Sequence, residues 1–341
     1  MTVLIIEGFD YYPAVSGTAG LNTAWSASTV ANLTLVAGRF GGLAVRGSGA
    51  GSVGRSLNRA IPSTTSAACG FALSLNGPPG LALYLAQFRS SGGVQCGLGI
   101  GTDGVLRVYG ASTGVVLGAA AAALATGPLV WNFVEIEVEL HDSTGAAGVW
   151  VNGQKVIDLS NVDTKGQSAA DITEFAFLAP VPGPGSPGIV DDLYVTNGTR
   201  LGECRVVTLR PSADTADADW TPSTGVDHFA VVDETAVNGD TDYAASANAG
   251  DLELYNLGDL GFTPAGVFAV QCKICARKDD ATTREVRTKI RSNGATNDGA
   301  TVALTSSYAY YSDILETDPD TSAAWTAAAV DALEVGQEVV T

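Results

Sequence analysis

The chain has 341 residues, 46% of them hydrophobic, and a net charge of −18. A length of this order predicts about two domains, and so large a surplus of carboxylates excludes nucleic acid as a partner, because phosphate binding needs a basic surface. The first 200 residues carry 13 acidic and 9 basic side chains and the remainder 23 and 9, so the acidity is concentrated in the second part.

Five cysteines (Cys69, Cys96, Cys204, Cys272 and Cys275) are odd in number and irregularly spaced, and predict no disulfide framework. Met1 to Glu7 has no basic n-region, so no signal peptide is expected and synthesis is expected in the cytoplasm. The longest apolar stretch, Val115 to Val130, is rich in alanine and is broken by Gly118, Gly127 and Pro128; no membrane insertion is expected from it. Short Val-, Thr-, Ala- and Gly-rich segments between turn residues, with almost no amphipathic helical periodicity, predict an all-β protein.

Taken in order, Val3 to Glu7 reads as a strand, a Gly/Ser/Thr loop follows Tyr12, and Trp25 packs the opening of the first core. Leu43 to Arg46 is a short strand before a flexible Gly-rich loop. Gly70 to Ser74 and Leu81 to Arg89 are strands separated by Asn76-Gly77-Pro78-Pro79-Gly80, which cannot continue a central ladder. Gln95 to Ile100 and Val105 to Tyr109 flank the hairpin turn Thr102-Asp103-Gly104.

Trp131 to Asp158 is the most regular stretch. Val134, Ile136, Val138 and Leu140 alternate with Glu135, Glu137 and Glu139, the period-2 pattern of a half-buried antiparallel strand, and Phe133 stands apart. After a polar turn, Val149 and Val151 alternate with Trp150, and Asn152-Gly153 makes a tight reversal. Ile172 to Leu178, a Pro/Gly run from Pro180 to Gly188, and Ile189 to Val195 complete a β-sandwich. A second β module follows, with strands expected at Gly266–Lys278, Arg284–Arg291, Val302–Leu304, Tyr308–Leu315 and Leu333–Val340, a short helix capped by Thr326, and irregular structure over Asp214–Asn248.

The order W-x-x-V-E-I, turn, V-x-V-N-G-x-x-V, Pro/Gly loop, I-V-D-D-L-Y-V resembles the concanavalin A-like or laminin-G-like jelly roll. The opening Glu7-Gly8-Phe9-Asp10 with Trp25 is similar to copies in tailed-bacteriophage virion proteins. Leu201 to Pro211, Ala218 to Pro222, Ala276 to Asp280 and Ser307 to Ser312 resemble the module that follows this jelly roll in phage structural proteins. The resemblance implies a jelly roll over residues 1–200 and a smaller, acidic β-sandwich module over 201–341 used for assembly or anchoring. It implies a non-enzymatic bacteriophage virion structural protein, tail-associated in fibre, baseplate or adsorption apparatus, with capsid decoration as the alternative location. Its expected partners are other virion proteins, further copies of itself and host-surface glycans. No cofactor and no particular carbohydrate-binding residue is implied.

Several residues bear on chemistry. Laminarinase-type glycoside hydrolases carry Glu-x-Asp-x-Glu on one strand of a similar sandwich, so Glu135, Glu137 and Glu139 raise a second reading, a glycan depolymerase working through Glu135 and Glu139. Glu137 departs from that pattern, the chain is only 7% aromatic, and a solvated strand face is the ordinary reading. Cys272-x-x-Cys275 lies on a strand, where an odd offset sends the two thiols to opposite faces, so no metal site is expected. Asp191-Asp192 and Asp214, Asp217 and Asp219 are candidate calcium ligands, but neither run completes a ligand loop and aspartates at turns ordinarily cap backbone groups. No G-x-S-x-G elbow occurs, and only His141 and His228 are available to a triad. Lys273 and Arg277 on one strand and Arg287, Lys289 and Arg291 on the next are expected to share an outward basic hairpin face, a dock for the acidic surface of a neighbouring subunit. A third reading, a cellular laminin-G-like adhesion domain, conflicts with the absent secretion signal and unpaired cysteines.

Overall fold

The computed structural model describes residues 1–12, 21–25, 33–47, 56–91, 93–111, 114–169, 171–179 and 188–341. The loops expected after Tyr12 and after Arg46, and most of the run from Pro180 to Gly188, lie outside the described residues. Residue contacts divide the chain into two units, Met1–Asp10 with Ala14–Val206, and Tyr11–Pro13 with Val207–Thr341.

In the first unit the strands are β1 (Val3–Glu7), β2 (Leu33–Ala37), β3 (Leu43–Gly47), β4 (Ser56–Thr64), β5 (Ser66–Leu75), β6 (Leu83–Ser90), β7 (Gly93–Ile100), β8 (Val105–Tyr109), β9 (Val116–Ala123), β10 (Trp131–Glu139), β11 (Gly145–Val151), β12 (Gln154–Val162), β13 (Ile172–Leu178) and β14 (Gly188–Thr196). One sheet runs β12-β11-β10-β5-β14-β3-β2, with β1 also paired to β14, and the other runs β4-β13-β6-β7-β8-β9. The pairings are antiparallel, and the two sheets make a sandwich of jelly-roll type.

Alternation builds the core. Val134, Ile136 and Val138 of β10 are buried on the inner face, and Val134 stands opposite Phe71 of β5. Phe71 meets Phe177 of β13 edge-to-face at 5.2 Å, which joins the two sheets. Trp25 is buried with them. At the β11–β12 reversal Asn152 and Gly153 both take positive φ (49° and 79°), the pair of left-handed residues that matches strand twist. The Asn152 side chain also accepts from the Phe133 amide at 2.8 Å, so the turn is clipped to β10.

Strand β9 lies in the alanine-rich stretch where no strand was expected. Five consecutive alanines show no polar–apolar alternation, so periodicity is silent there, and pairing with β8 decides the conformation.

The second unit contains β15 (Pro211–Ala218), β16 (Thr221–Pro222), β17 (Ala244–Ala245), β18 (Leu252–Leu257), β19 (Val270–Ala276), β20 (Glu285–Ser292), β21 (Ala295–Asp298), β22 (Val302–Ala303), β23 (Ala309–Leu315) and β24 (Glu334–Val339). A sheet β15-β18-β24-β20-β21, with β22 beside β20, accompanies the two-stranded ladder β19-β23. Cys272, Ile290, Trp325, Val330 and Leu333 form the core that includes residues of both. The short helix Ala327–Asp331 is capped by Thr326, whose hydroxyl accepts from the Ala329 amide at 3.1 Å. Asp214 lies within β15, so the segment expected to be irregular begins as a strand paired with β18.

Candidate functional site

The glutamate strand does not present a solvated face. Glu135 is fully buried, Glu137 half-buried and only Glu139 exposed. Strand register places Lys155, Trp150, Glu135, Gly70 and Tyr194 in one row across β12, β11, β10, β5 and β14, on the face turned away from the core. Gly70 makes the row possible, because a Cβ there would stand 2.7 Å from Cζ of the Tyr194 ring. Across it the Tyr194 hydroxyl donates to Glu135 at 2.5 Å.

Glu135 also accepts from the Arg200 guanidinium at 2.9 Å and the Gly202 amide at 2.8 Å, while Glu137 accepts from the Arg200 amide at 2.7 Å. Leu201 and Cys204, like Trp131, then pack against Ala72, Phe133 and Tyr194, which accounts for Phe133 on this face. The Arg200 guanidinium stacks over Trp150, 4.6 Å from the ring centroid. Burial, with the Glu135 charge beside it, holds the Tyr194 phenol well above its ordinary range, so it stays a donor. Two of the three glutamates therefore fasten the segment after β14 to the sheet.

This arrangement also separates Glu135 from Glu139. Glu135 is buried and bonded to Tyr194, Arg200 and Gly202, whereas Glu139 stands exposed at the end of the strand, so the two are not presented together as a catalytic pair.

Asp191 and Asp192 are both buried and hold backbone amides. Asp191 accepts from Arg39 N–H at 2.7 Å and Asp192 N–H at 2.8 Å, and Asp192 accepts from Val206 N–H at 2.9 Å. The Arg39 guanidinium stands 3.6 Å from Asp192, and Asp10 accepts from Leu43 N–H at 2.6 Å. Burial, reinforced by the neighbouring Asp192 charge, pushes the Asp191 carboxyl up to about 7. Burial raises Asp192 to about 6, offset in part by the Val206 amide and Arg39.

The outer face of the other sheet carries residues that the pattern reading passed over. Phe175 and Phe177 point inward, so Ala176 and Glu174 point out, and register extends this into rows. One row holds Glu174 and Arg89; the next holds Asn58, Ala176, Gln87, Gly97 and Tyr109; the third holds Gly99 and Arg107, with Tyr84 beside them. Gly97 and Gly99 clear the floor: a Cβ on Gly97 would meet Tyr84 at 3.0 Å and the Ala86 carbonyl oxygen at 2.5 Å, and one on Gly99 would meet Tyr109 at 2.6 Å. The two tyrosine rings meet edge-to-face at 5.5 Å over these glycines, and the Tyr84 hydroxyl donates to Gly110 O at 2.5 Å.

Arg89 lies 2.8 Å from Glu174 and donates to Gln87 at 3.1 Å, and Asn58 donates to Glu174 at 3.3 Å. Tyr84, Tyr109 and Gln87 are buried, whereas Arg89 and Glu174 are about one-third exposed, at 31% and 34%. The sequence signal for this face is Gly97-x-Gly99, two glycines at period 2 on one side of β7, with Gly101 just beyond the strand's end.

In the second unit the expected basic hairpin face does not form. Lys273 is on β19, which pairs with β23, whereas Arg287, Lys289 and Arg291 are on β20, which pairs with β24 and β21. The two strands belong to different sheets whose apolar faces share the core through Cys272 and Ile290, so their outer faces point apart. The cations are also matched locally. Arg287 pairs with Asp298 at 2.9 Å and Glu338 at 2.8 Å, Lys289 with Asp298 at 2.5 Å and with Glu338, Arg291 with Asp217 and Glu334, and Arg277 with Asp240 at 2.9 Å. Lys273 donates to the Tyr11 hydroxyl.

Asp214 accepts from the His228 and Phe229 amides, and Asp219 accepts from Leu252 N–H at 3.0 Å. Cys272 is buried with its thiol pushed up to about 12, and burial raises half-buried Cys275 to about 11, which leaves both as thiols.

No family model and no curated protein matches the chain. Among solved structures it is similar to alginate lyase Aly36B (12% identity, 60% of this chain and 98% of that one, TM-score 0.41). It is also similar to the binding domain of Paraclostridial Mosquitocidal Protein 1 (13%, 58% and 48%, 0.37) and a Trypanosoma rangeli sialidase (15%, 46% and 28%, 0.30). Less than a third of the sialidase is spanned. Carbohydrate-active enzymes are named among these neighbours, and the expectations of a non-enzymatic role and of a bacteriophage virion part, tail or capsid decoration, are withdrawn as corrected by them.

Proposed function

We propose that the chain is a carbohydrate-active protein whose first unit takes an extended glycan along the outer face of the sheet β4-β13-β6-β7-β8-β9. The observation that carries this reading is the row structure of that face. Arg89, Glu174, Gln87 and Asn58 set donors and acceptors side by side across three strands, next to a floor of Gly97, Gly99 and two tyrosine rings.

Sugar hydroxyls both donate and accept, and an arginine–carboxylate pair offers both partners at fixed spacing. Tyr84 and Tyr109 fill the space over Gly97 and Gly99 and are themselves buried, so they brace this face, and the groups open to a sugar are the part-exposed Arg89, Glu174 and Asn58 beside them. Among the outward residues of this face, Glu174 is the carboxylate positioned to move a proton at a bound glycan, with Arg89 orienting it. Glu135 and Glu139 take no part, since Glu135 is consumed by Tyr194, Arg200 and Gly202.

The test is calorimetric titration of the full chain with a panel of soluble polysaccharides, neutral and uronate-containing, each followed for new reducing ends and for unsaturated products. Expected are binding and turnover of at least one glycan, with turnover lost in Glu174→Gln and binding weakened about tenfold in Arg89→Ser. No binding or turnover across the panel, or behaviour unchanged in both variants, would overturn the reading.

A further inference from the structure

Among the described residues strand β9 ends the hydrogen-bonded order of its sheet, paired to β8, while Leu159 of β12 packs against it at Gly118 without continuing the ladder. An edge strand exposes a row of backbone donors and acceptors, and soluble proteins ordinarily protect such edges with charge or proline. The outer strands of eight residues or more follow that rule: β4 carries Arg59 and Pro62, β12 carries Lys155 and Asp158, and β15 carries Pro211, Asp214 and Asp217, while the five-residue outer strand β2 carries neither charge nor proline. Strand β9, Val-Leu-Gly followed by five alanines, carries neither. From Val108 to Val134 the sequence contains no Asp, Glu, Lys, Arg or His. Val115 and Val116 are about half exposed, and Ala119 and Ala121 to Ala123 are exposed.

We propose that β9 is a homodimerisation edge: it pairs antiparallel with β9 of a second copy of this chain about a two-fold axis near Ala119 and Ala120, continuing the six-stranded sheet across two protomers. Two observations select a second copy as the occupant. A chain of net charge −18 repels its own copies, so contact between them is least costly where charge is absent, and this edge lies in the 27-residue charge-free run just described. Antiparallel self-pairing is also isologous, so one patch supplies both sides, and near-uniform alanine leaves no side chain to clash across the axis. A basic partner would instead be drawn to the acidic surface elsewhere and would gain nothing from an uncharged edge.

The test is sedimentation equilibrium of the full chain over a wide concentration range at low and high salt, with hydrogen exchange read on 116–123 in the same samples. Expected are a monomer–dimer equilibrium that tightens as salt screens the like charges, and amide protection of 116–123 that grows with concentration. Ala119→Lys sets two lysines beside the axis and is expected to weaken association at least about tenfold, with only a small drop in the melt of the dilute monomer, where the exposed new lysine stands opposite Arg107. A wild-type mass that stays monomeric, association unaffected by Ala119→Lys, or protection of 116–123 that appears only on adding a glycan would each overturn the proposal. The exchange readout needs no variant, so a misfolded Ala119→Lys protein would leave it intact.

Discussion

The Tyr194 hydroxyl and the Glu135 carboxylate meet at 2.5 Å across Gly70, on the face of the sheet turned away from the core. That contact, with the Arg200 and Gly202 bonds to the same carboxylate, fastens the segment from Arg200 to Cys204 over Phe133.

Because Glu135 is fully buried and satisfied by three donors, Glu135→Gln is expected to destabilise the first unit by about 2–3 kcal/mol, leaving the Arg200 guanidinium with a weaker partner. Glu139→Gln, on an exposed residue, is expected to change stability by no more than about 0.5 kcal/mol. Urea unfolding followed by fluorescence separates the two, and equal effects would contradict the fastening role.

Asp191 and Asp192 give the first unit a distinctive pH dependence. Folded, they keep their protons up to about pH 7 and 6, whereas the ordinary value is 3.8. Between these limits the folded state binds more protons than the unfolded state, so their contribution to stability falls as pH rises through that window. The urea midpoint is expected to drop between pH 5 and pH 8, and Asp191→Asn should flatten that slope. A midpoint that climbs over the same range in wild type and variant alike would contradict the assignment.

Gly99 is a steric requirement of the outer face. A Cβ there would stand 2.6 Å from the Tyr109 ring, so Gly99→Ala is expected to cost about 1–3 kcal/mol and to displace that ring. Gly258→Ala, where a Cβ would meet nothing within 4 Å, serves as the control and should leave the melting temperature almost unchanged.

In the second unit Lys289 is buried between Asp298 and Glu338, while the Arg277–Asp240 pair lies at the surface. Lys289→Met is expected to cost about 1–3 kcal/mol by leaving two carboxylates short of a cation. Arg277→Ser should cost no more than about 1 kcal/mol and less still in high salt. Chemical denaturation at two salt concentrations checks both.

The all-β class, the hairpin around Asp103-Gly104, the Asn152-Gly153 reversal and the Thr326 cap were legible in the sequence, because each depends on alternation or on one or two residues of special backbone chemistry. Alternation also identified correctly which side of β10 builds the main core. It could not say what lies on the other side: Glu135 reads as wet until a segment 65 residues away is folded over it, and that is a long-range event. The same limit separated Lys273 from Arg287. Both strands were placed near their observed positions, but a strand's partners depend on which ladders satisfy its backbone, and β19 found β23 while β20 found β24. Local pattern thus determined which segments are strands and which faces are apolar. Only tertiary structure decided which polar residues share a row, and so where Arg89, Glu174 and the two tyrosines meet, because a row across a sheet joins residues that are remote in sequence.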